Sequence, residues 1–155
     1  IQFYFWFNID PLLLQLAKAL WIDDHLILEG FKSKNETVSL LKECDVLFLP
    51  LESEKNGQRP LFIPGKLFEY LKIGNPILSL ASSSDCVDIL EKSGLGIICD
   101  PRDPQLIGEA LARIVESRDK LSETYAPDTE YIYSSFSFKE KTRQLSDIFD
   151  KLTSW

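Results

Sequence analysis

The sequence has no methionine, one histidine and three cysteines. The lone histidine, His25, falls at the start of an expected strand, away from where ligands bind, and reads as a structural or surface residue. Cys44, Cys86 and Cys99 lack metal-type spacing, and an odd count makes a poor disulfide framework. Cys44 and Cys99 border or lie in apolar runs and read as small core residues of a protein kept in a reducing compartment. No apolar run approaches the roughly 20 residues that a membrane span needs, and no signal peptide is visible. Positive charge is scarce: 17 Lys and Arg stand against 24 Asp and Glu, for a net charge of −7. That balance disfavours non-specific binding to nucleic acid or to an anionic membrane. A dinucleotide-binding glycine fingerprint should follow the first strand and open a helix. Asn8-Ile9-Asp10-Pro11 stands there instead, and Gly94 and Gly96 precede a strand, so a dehydrogenase fits poorly. The third expected strand ends in Leu49-Pro50 without an aspartate, which argues against a phospho-acceptor receiver. There is no internal repeat and no low-complexity tract. The missing methionine and the opening on Ile1, inside an expected strand, point to a piece excised from a longer protein.

What is present suits one soluble α/β domain spanning residues 1–155. A chain of this size buries roughly 70% of its unfolded surface and needs no metal or disulfide to hold a core. Ile1 to Phe7 reads as a strand buried on both faces. Asp10-Pro11 is a cap followed by proline at the first helical position, and Leu12, Leu13, Leu16, Ala17 and Leu20 stripe the helix that follows. His25 to Glu29 is a second strand. Asn35 can cap a helix carrying Val38, Leu40 and Leu41. Asp45 to Pro50 is a third strand, and Leu51 to Phe62 is an aperiodic loop of a length that is uncommon unless functional. A short helix from Pro64 to Ile73, a turn at Gly74 and a strand from Ile77 to Leu80 come next. Ser82 to Ser84 can cap a helix with Val87, Ile89 and Leu90. Gly94 to Cys99 is a turn and strand, and Asp103-Pro104 starts another helix. A short helix is expected near Leu121, and Thr124 to Ser135 reads as irregular. The capping-box spacing Ser137-x-x-Glu140 opens a last amphipathic helix. Alternating strands and helices imply a Rossmann-like, three-layer αβα arrangement with a mostly parallel sheet. Ligands of such sheets bind outside the carboxyl ends of the strands. Here those ends are Asn8, Gly30 to Lys34, Leu51 to Gly65, Ser79 to Ser84 and Asp100 to Asp103.

The stretch Ile63 to Leu80 organises the rest. Leu67, Phe68 and Leu71 give the helix an apolar side, while Glu69 stands about one turn from the start. The N–H groups of Gly65 to Leu67 point out of the helix end, where an anion is stabilised. Lys66 can add charge there or be a surface lysine. Ionised Glu69 is an acceptor-only group suited to a diol, or an exposed carboxylate paired with Lys66 or Lys72.

Pro64, Lys66, Glu69, Tyr70, Leu71, Gly74 and Pro76 fill a pattern Pro-x-Lys-x-x-Glu-Tyr-Leu-x-x-Gly-x-Pro. That pattern resembles the donor-site segment of retaining GT-B glycosyltransferases, the family 4, or group 1, type in particular. Outside this segment the resemblance runs from Leu12 to Leu152 only as hydrophobic rhythm. It implies that the chain is one half of a GT-B fold, the C-terminal domain that binds a nucleotide-sugar donor such as a UDP- or GDP-sugar. In that reading Glu69 binds the donor ribose, and Pro64, Gly65, Lys66 and Leu67 hold the diphosphate. The loop of Gly30, Phe31 and Lys32 lies against the base, where Phe31 either stacks or belongs to the core. Gln58 and Arg59, in the long loop, either reach the sugar or a phosphate of the donor or stay in a mobile solvated loop. No metal or other cofactor is implied. The acceptor site would lie in an N-terminal domain not represented here. The parent enzyme would be cytoplasmic, in solution or at the cytoplasmic face of the membrane, and the piece alone would not catalyse transfer. The sequence departs from the family at Leu61, where a glutamate often stands eight positions before the ribose glutamate. A non-catalytic Rossmann-like nucleotide-binding or interaction domain is the rival reading.

Overall fold

A computed structural model describes residues 1–6, 9–51 and 58–153. Two compact units divide the chain, Ile1–Glu43 and Cys44–Trp155.

The first unit pairs two short parallel strands, β1 (Phe3–Phe5) and β2 (Leu26–Leu28), with Tyr4 opposite Ile27. Helix α1 (Pro11–Ala19) joins them, as a parallel pair requires. Its start is the expected one: Asp10 accepts from the Leu12 N–H at 2.8 Å, with Pro11 behind it. A 3-10 turn over Asp23–His25 leads into β2. There His25 Nδ1 lies 2.9 Å from the Ile1 carbonyl, a tie between the residues just before β2 and those just before β1. Helix α2 (Lys34–Glu43) follows β2. The expectations for this unit need four corrections. The first strand is shorter than Ile1 to Phe7 and is not buried on both faces, since Tyr4 is exposed; Phe7 and Asn8 lie outside the described residues. The second is shorter than His25 to Glu29, because His25 belongs to the turn before it. The leucine stripe of α1 is exposed at Leu12, Leu13, Leu16 and Leu20, leaving Ala17 as its buried residue. Helix α2 is capped by Ser33, not Asn35. The Glu36 N–H donates to Ser33 Oγ, and the Ser33 N–H donates to Glu36 Oε2 at 2.9 Å, a reciprocal capping box. Those bonds lower the pKa of Glu36.

The second unit carries a three-stranded parallel sheet in the order β3 (Leu47–Pro50), β4 (Ile77–Leu80), β5 (Gly96–Cys99). The register aligns Leu47, Ile77 and Gly96 across the sheet, and Phe48, Leu78 and Ile97 one position on. Side chains alternate between faces along a strand. On one face Leu78, Ile97 and Cys99 pack with Ala110 of α5 (Pro104–Glu116), and Ile107, Leu111 and Ile114 surround them. On the other face α4 (Asp85–Ser93) lies so close to β5 that a Cβ on Gly96 would touch Leu90 at 3.0 Å. Helices on both faces make this unit three layers, and the fold is Rossmann-like α/β. Central β4 is buried on both sides, and its Ser79 hydroxyl donates to the Leu49 carbonyl at 3.0 Å, so its one polar side chain is satisfied.

Helix α3 (Gly65–Ile73) closes at Gly74, which takes the left-handed conformation with φ of 85°. Asn75 then donates to the Cys44 carbonyl at 2.7 Å, fixing the turn into β4. Ser84 and Asp103 cap α4 and α5 through the N–H groups of Val87 and Leu106. Beyond α5 come α6 (Leu121–Thr124), α7 (Thr129–Phe136) and α8 (Phe138–Thr153). Helix α7 corrects the irregular reading of Thr124 to Ser135; Asp128 caps it by accepting from the Tyr131 N–H at 2.8 Å. Only half of the expected box at Ser137 forms. Glu140 N–H donates to Ser137 Oγ, but the Glu140 carboxylate turns to Arg143 and Gln144. Among the described residues no helix is long and apolar enough to cross a membrane. The expected loop from Leu51 to Phe62 falls partly, at residues 52–57, outside the described residues.

Candidate functional site

Strand pairing decides where α3 begins. Strands β3 and β4 run parallel, so the chain leaves β3 at the carboxyl edge of the sheet and must return to the amino edge. Helix α3 makes that return. Its start at Gly65 therefore lies at the carboxyl edge, where ligands of such sheets bind.

The helix is two-sided. Leu67, Tyr70 and Leu71 are buried, whereas Gly65, Lys66 and Glu69 are exposed. Glu69 lies four positions after Gly65 and three after Lys66, so the three share one face. Side chains lean toward the helix start, which brings the Glu69 carboxylate over the turn of Gly65. Among the described residues that carboxylate has no hydrogen-bond or ion-pair partner. Nothing lies within 4 Å of the place a Cβ would occupy on Gly65, so the helix end is open to an approaching group. Pro64 stands at the N-cap rather than at the first helical position, with extended backbone (φ −70°, ψ 138°). Having no side-chain oxygen, it leaves the helix-end N–H groups without a side-chain cap. The Leu67 N–H donates back to the Pro64 carbonyl at 3.0 Å, and its side chain belongs to the core. A helix end without a side-chain cap, an exposed lysine and an exposed carboxylate on one face can hold an anion and a hydroxyl pair at once.

Tyr70 points the other way. Its ring is buried, and its hydroxyl donates at 3.5 Å to the Phe48 carbonyl of β3. Burial first, then the charges of Cys44 and Glu69, push its pKa up to about 12. It packs α3 to the sheet and stays protonated.

Arg59 is paired within the protein. Its guanidinium lies 3.0 Å from Asp88 and 3.6 Å from Asp85, both in the first turn of α4. Leu61 is 91% exposed and presents an aliphatic side chain to solvent. Asp100 and Asp103 serve locally, Asp100 accepting from the Arg102 N–H and Asp103 from the Leu106 N–H. Arg102 beside Asp100 holds that carboxyl down at about 2, and Asp103 caps α5.

In the first unit, Phe31 follows Gly30, whose φ is 71°, and is 78% exposed. An open depression of about 410 Å³ lies nearby along α2, lined by Lys32, Asn35, Glu36, Ser39 and Leu40. Phe31 and Glu69 belong to different compact units.

Residues 12–129 match the family model described as Glycosyl transferases group 1. AmsK of Erwinia amylovora, named as an amylovoran biosynthesis glycosyltransferase, is 24% identical over 131 residues, which cover 84% of this chain and 32% of AmsK. WcaL of Salmonella typhimurium, named for a glycosyltransferase of colanic acid biosynthesis, is 24% identical over 138 residues, covering 88% of this chain and 34% of WcaL. The chain thus spans about a third of the length of these curated relatives. Among solved structures, HepE of Anabaena, crystallised in complex with UDP, superposes with a TM-score of 0.66 at 14% identity. That match covers 90% of this chain and 36% of HepE, and it shows the fold.

Proposed function

The chain belongs to the glycosyl transferases group 1 family, and from that premise we propose that it is the donor-binding half of a GT-B glycosyltransferase. The observation that carries this reading is the shared open face of Gly65, Lys66 and Glu69 at the carboxyl edge of the sheet. Glu69 accepts hydrogen bonds from both ribose hydroxyls of a nucleotide-sugar. The N–H groups at Gly65 and Lys66, with the Lys66 ammonium, face the diphosphate. As the sugar leaves, charge builds on that diphosphate, and fixed N–H dipoles with a lysine stabilise it without a metal ion or other cofactor. The sugar passes to an acceptor with retention of configuration. The acceptor site belongs to a second domain of the parent enzyme, and this chain alone does not catalyse transfer. AmsK and WcaL are named for amylovoran and colanic acid biosynthesis, which supports a growing polysaccharide as acceptor. The parent enzyme works in the cytoplasm, in solution or at the inner face of the membrane.

Thermal-shift and calorimetric titration of UDP, GDP and ADP tests the site. A ligand that binds the native state raises its melting temperature by mass action. One nucleotide is expected to stabilise the chain, and Glu69→Ala to abolish the effect. Stabilisation that survives Glu69→Ala would place the site elsewhere. Exposed Leu61, where the family often has a carboxylate, favours one rival: a nucleotide-binding domain without catalysis. Sugar transfer from a UDP- or GDP-sugar by the longer enzyme would exclude it.

A further inference from the structure

The run from Pro60 to Pro64 delivers the chain to α3, and little in its own composition holds it. Pro60 and Pro64 have no N–H to donate. Leu61 and Phe62 are 91% and 69% exposed, so hydrophobic burial does not anchor them. Among the described residues, two ties reach this run from the first turn of α4, besides the bond from the Leu67 N–H to the Pro64 carbonyl at its end. Arg59, directly before it, pairs with Asp85 and Asp88, 26 and 29 positions away. The Phe62 carbonyl accepts from the thiol of Cys86, which lies between those aspartates, at 3.7 Å. Cys86 itself is buried. The aspartates are well placed in their own right, since carboxylates are favoured at a helix N-terminus. The guanidinium is engaged by both carboxylates, and a diphosphate would have to displace them to reach it.

We propose that Arg59 is a positioning residue: it pins the run Pro60–Pro64 to the first turn of α4, sets where α3 begins, and does not touch the ligand. The functional weight of this inference rests on the reading of the α3 start as the donor site. Exposed ion pairs are individually weak. Here the tie has only to select one path for a short run whose Leu61 and Phe62 side chains are exposed.

The protein carries its own reporters. Cys86 lies beneath the pinned run, and Cys99 is buried on the opposite face of the sheet against α5. Peptide-resolved alkylation with iodoacetamide therefore separates local release from global unfolding. Arg59→Ala, and separately the pair Asp85→Asn with Asp88→Asn, are expected to raise Cys86 labelling several-fold and leave Cys99 unchanged. Arg59→Lys should restore much of the protection. Unchanged Cys86 labelling would overturn the latch, and so would a parallel rise at Cys99. Calorimetry with UDP is the second arm. The latch predicts that the arginine and aspartate variants each weaken UDP binding, and that combining them adds little, as for residues acting through one interaction. A direct phosphate contact predicts the opposite for the aspartate variants, unchanged or tighter binding, and that result would refute the proposal. If none of UDP, GDP and ADP binds the parent chain, the donor-site reading fails, while the thiol labelling still decides the latch; if GDP or ADP binds in place of UDP, that nucleotide serves in this arm.

Discussion

Gly94 faces the carbonyl of Ala126 so closely that a Cβ on it would lie 2.5 Å from the oxygen. Its φ of 75° is also left-handed. The next bond in the chain path, from the Asp128 N–H to the Ser93 carbonyl at 2.8 Å, holds the turn before α7 against the end of α4. Gly94→Ala has to displace backbone as well as bear the left-handed penalty, so it is expected to destabilise the chain by about 2–4 kcal/mol. Gly108 is the control. It lies inside α5 with nothing within 4 Å of a new Cβ, and Gly108→Ala should stabilise by roughly 0.5–1 kcal/mol. Urea denaturation reads both, and equal midpoints for the two variants would contradict the packing at Gly94.

Glu69→Gln separates binding from folding. The carboxylate is exposed and unpartnered among the described residues, so stability should stay within about 0.5 kcal/mol of the parent. Hydrogen bonds to a charged group contribute about 1.5–3 kcal/mol, so the affinity for the stabilising nucleotide should fall roughly 10- to 100-fold.

Gly65→Ala tests the helix end. Open space around Gly65 means that the folded chain accepts the methyl group. A phosphate resting on that N–H does not, so weaker nucleotide binding at unchanged or slightly higher melting temperature is expected. Unchanged affinity would move the diphosphate off the start of α3.

Tyr70 sets an alkaline limit. Its folded-state pKa of about 12 lies above the unfolded value near 10. The folded state thus binds the hydroxyl proton more tightly, and the associated stability is complete below pH 10. It declines as the pH rises from about 10 through about 12. Tyr70→Phe lacks this decline. Its neutral-pH cost should be below about 1 kcal/mol, because the lost bond to Phe48 is long at 3.5 Å. Urea midpoints of both proteins from pH 7 to about 11.5 check the divergence. The latest step of the phenolate absorbance titration should be missing from Tyr70→Phe, while burial, and then Asp88, still raises Tyr131 in both proteins.

Local chemistry was legible and tertiary support was not. Asp10, Ser84 and Asp103 cap helices, and Gly74 ends one, because each signal acts within a turn of its own position. Helix α7 escaped notice because Tyr131, Tyr133, Ser134 and Ser135 are indifferent helix formers. Packing supports it instead, with Phe136 set 5.3 Å from Phe68 of α3 and 5.8 Å from Tyr131. At α2, Asn35 competes as a signal with the box Ser33-x-x-Glu36, and the reciprocal pair of bonds prevails. The same division holds at the site. Gly65, Lys66 and Glu69 share a face by helical spacing alone. The partners of Arg59 lie in α4, beyond any local pattern, and the burial expected for the first strand and for the α1 stripe depended on what packs against them.

The order β3-β4-β5 bears on how this unit folds. Each pairing joins strands that are consecutive in sequence, with Leu47 and Ile77 separated by 30 positions and Ile77 and Gly96 by 19. Loop-closure entropy separates the two arches by only about 0.4 kcal/mol, so neither has a decisive head start. Strand β4 is the common partner in both, and a nucleus built from either arch must contain it. Truncations at Ile77 or Leu78 are therefore expected to slow folding, with φ-values above those at Leu47 or Ile97, whose loss should show chiefly as faster unfolding.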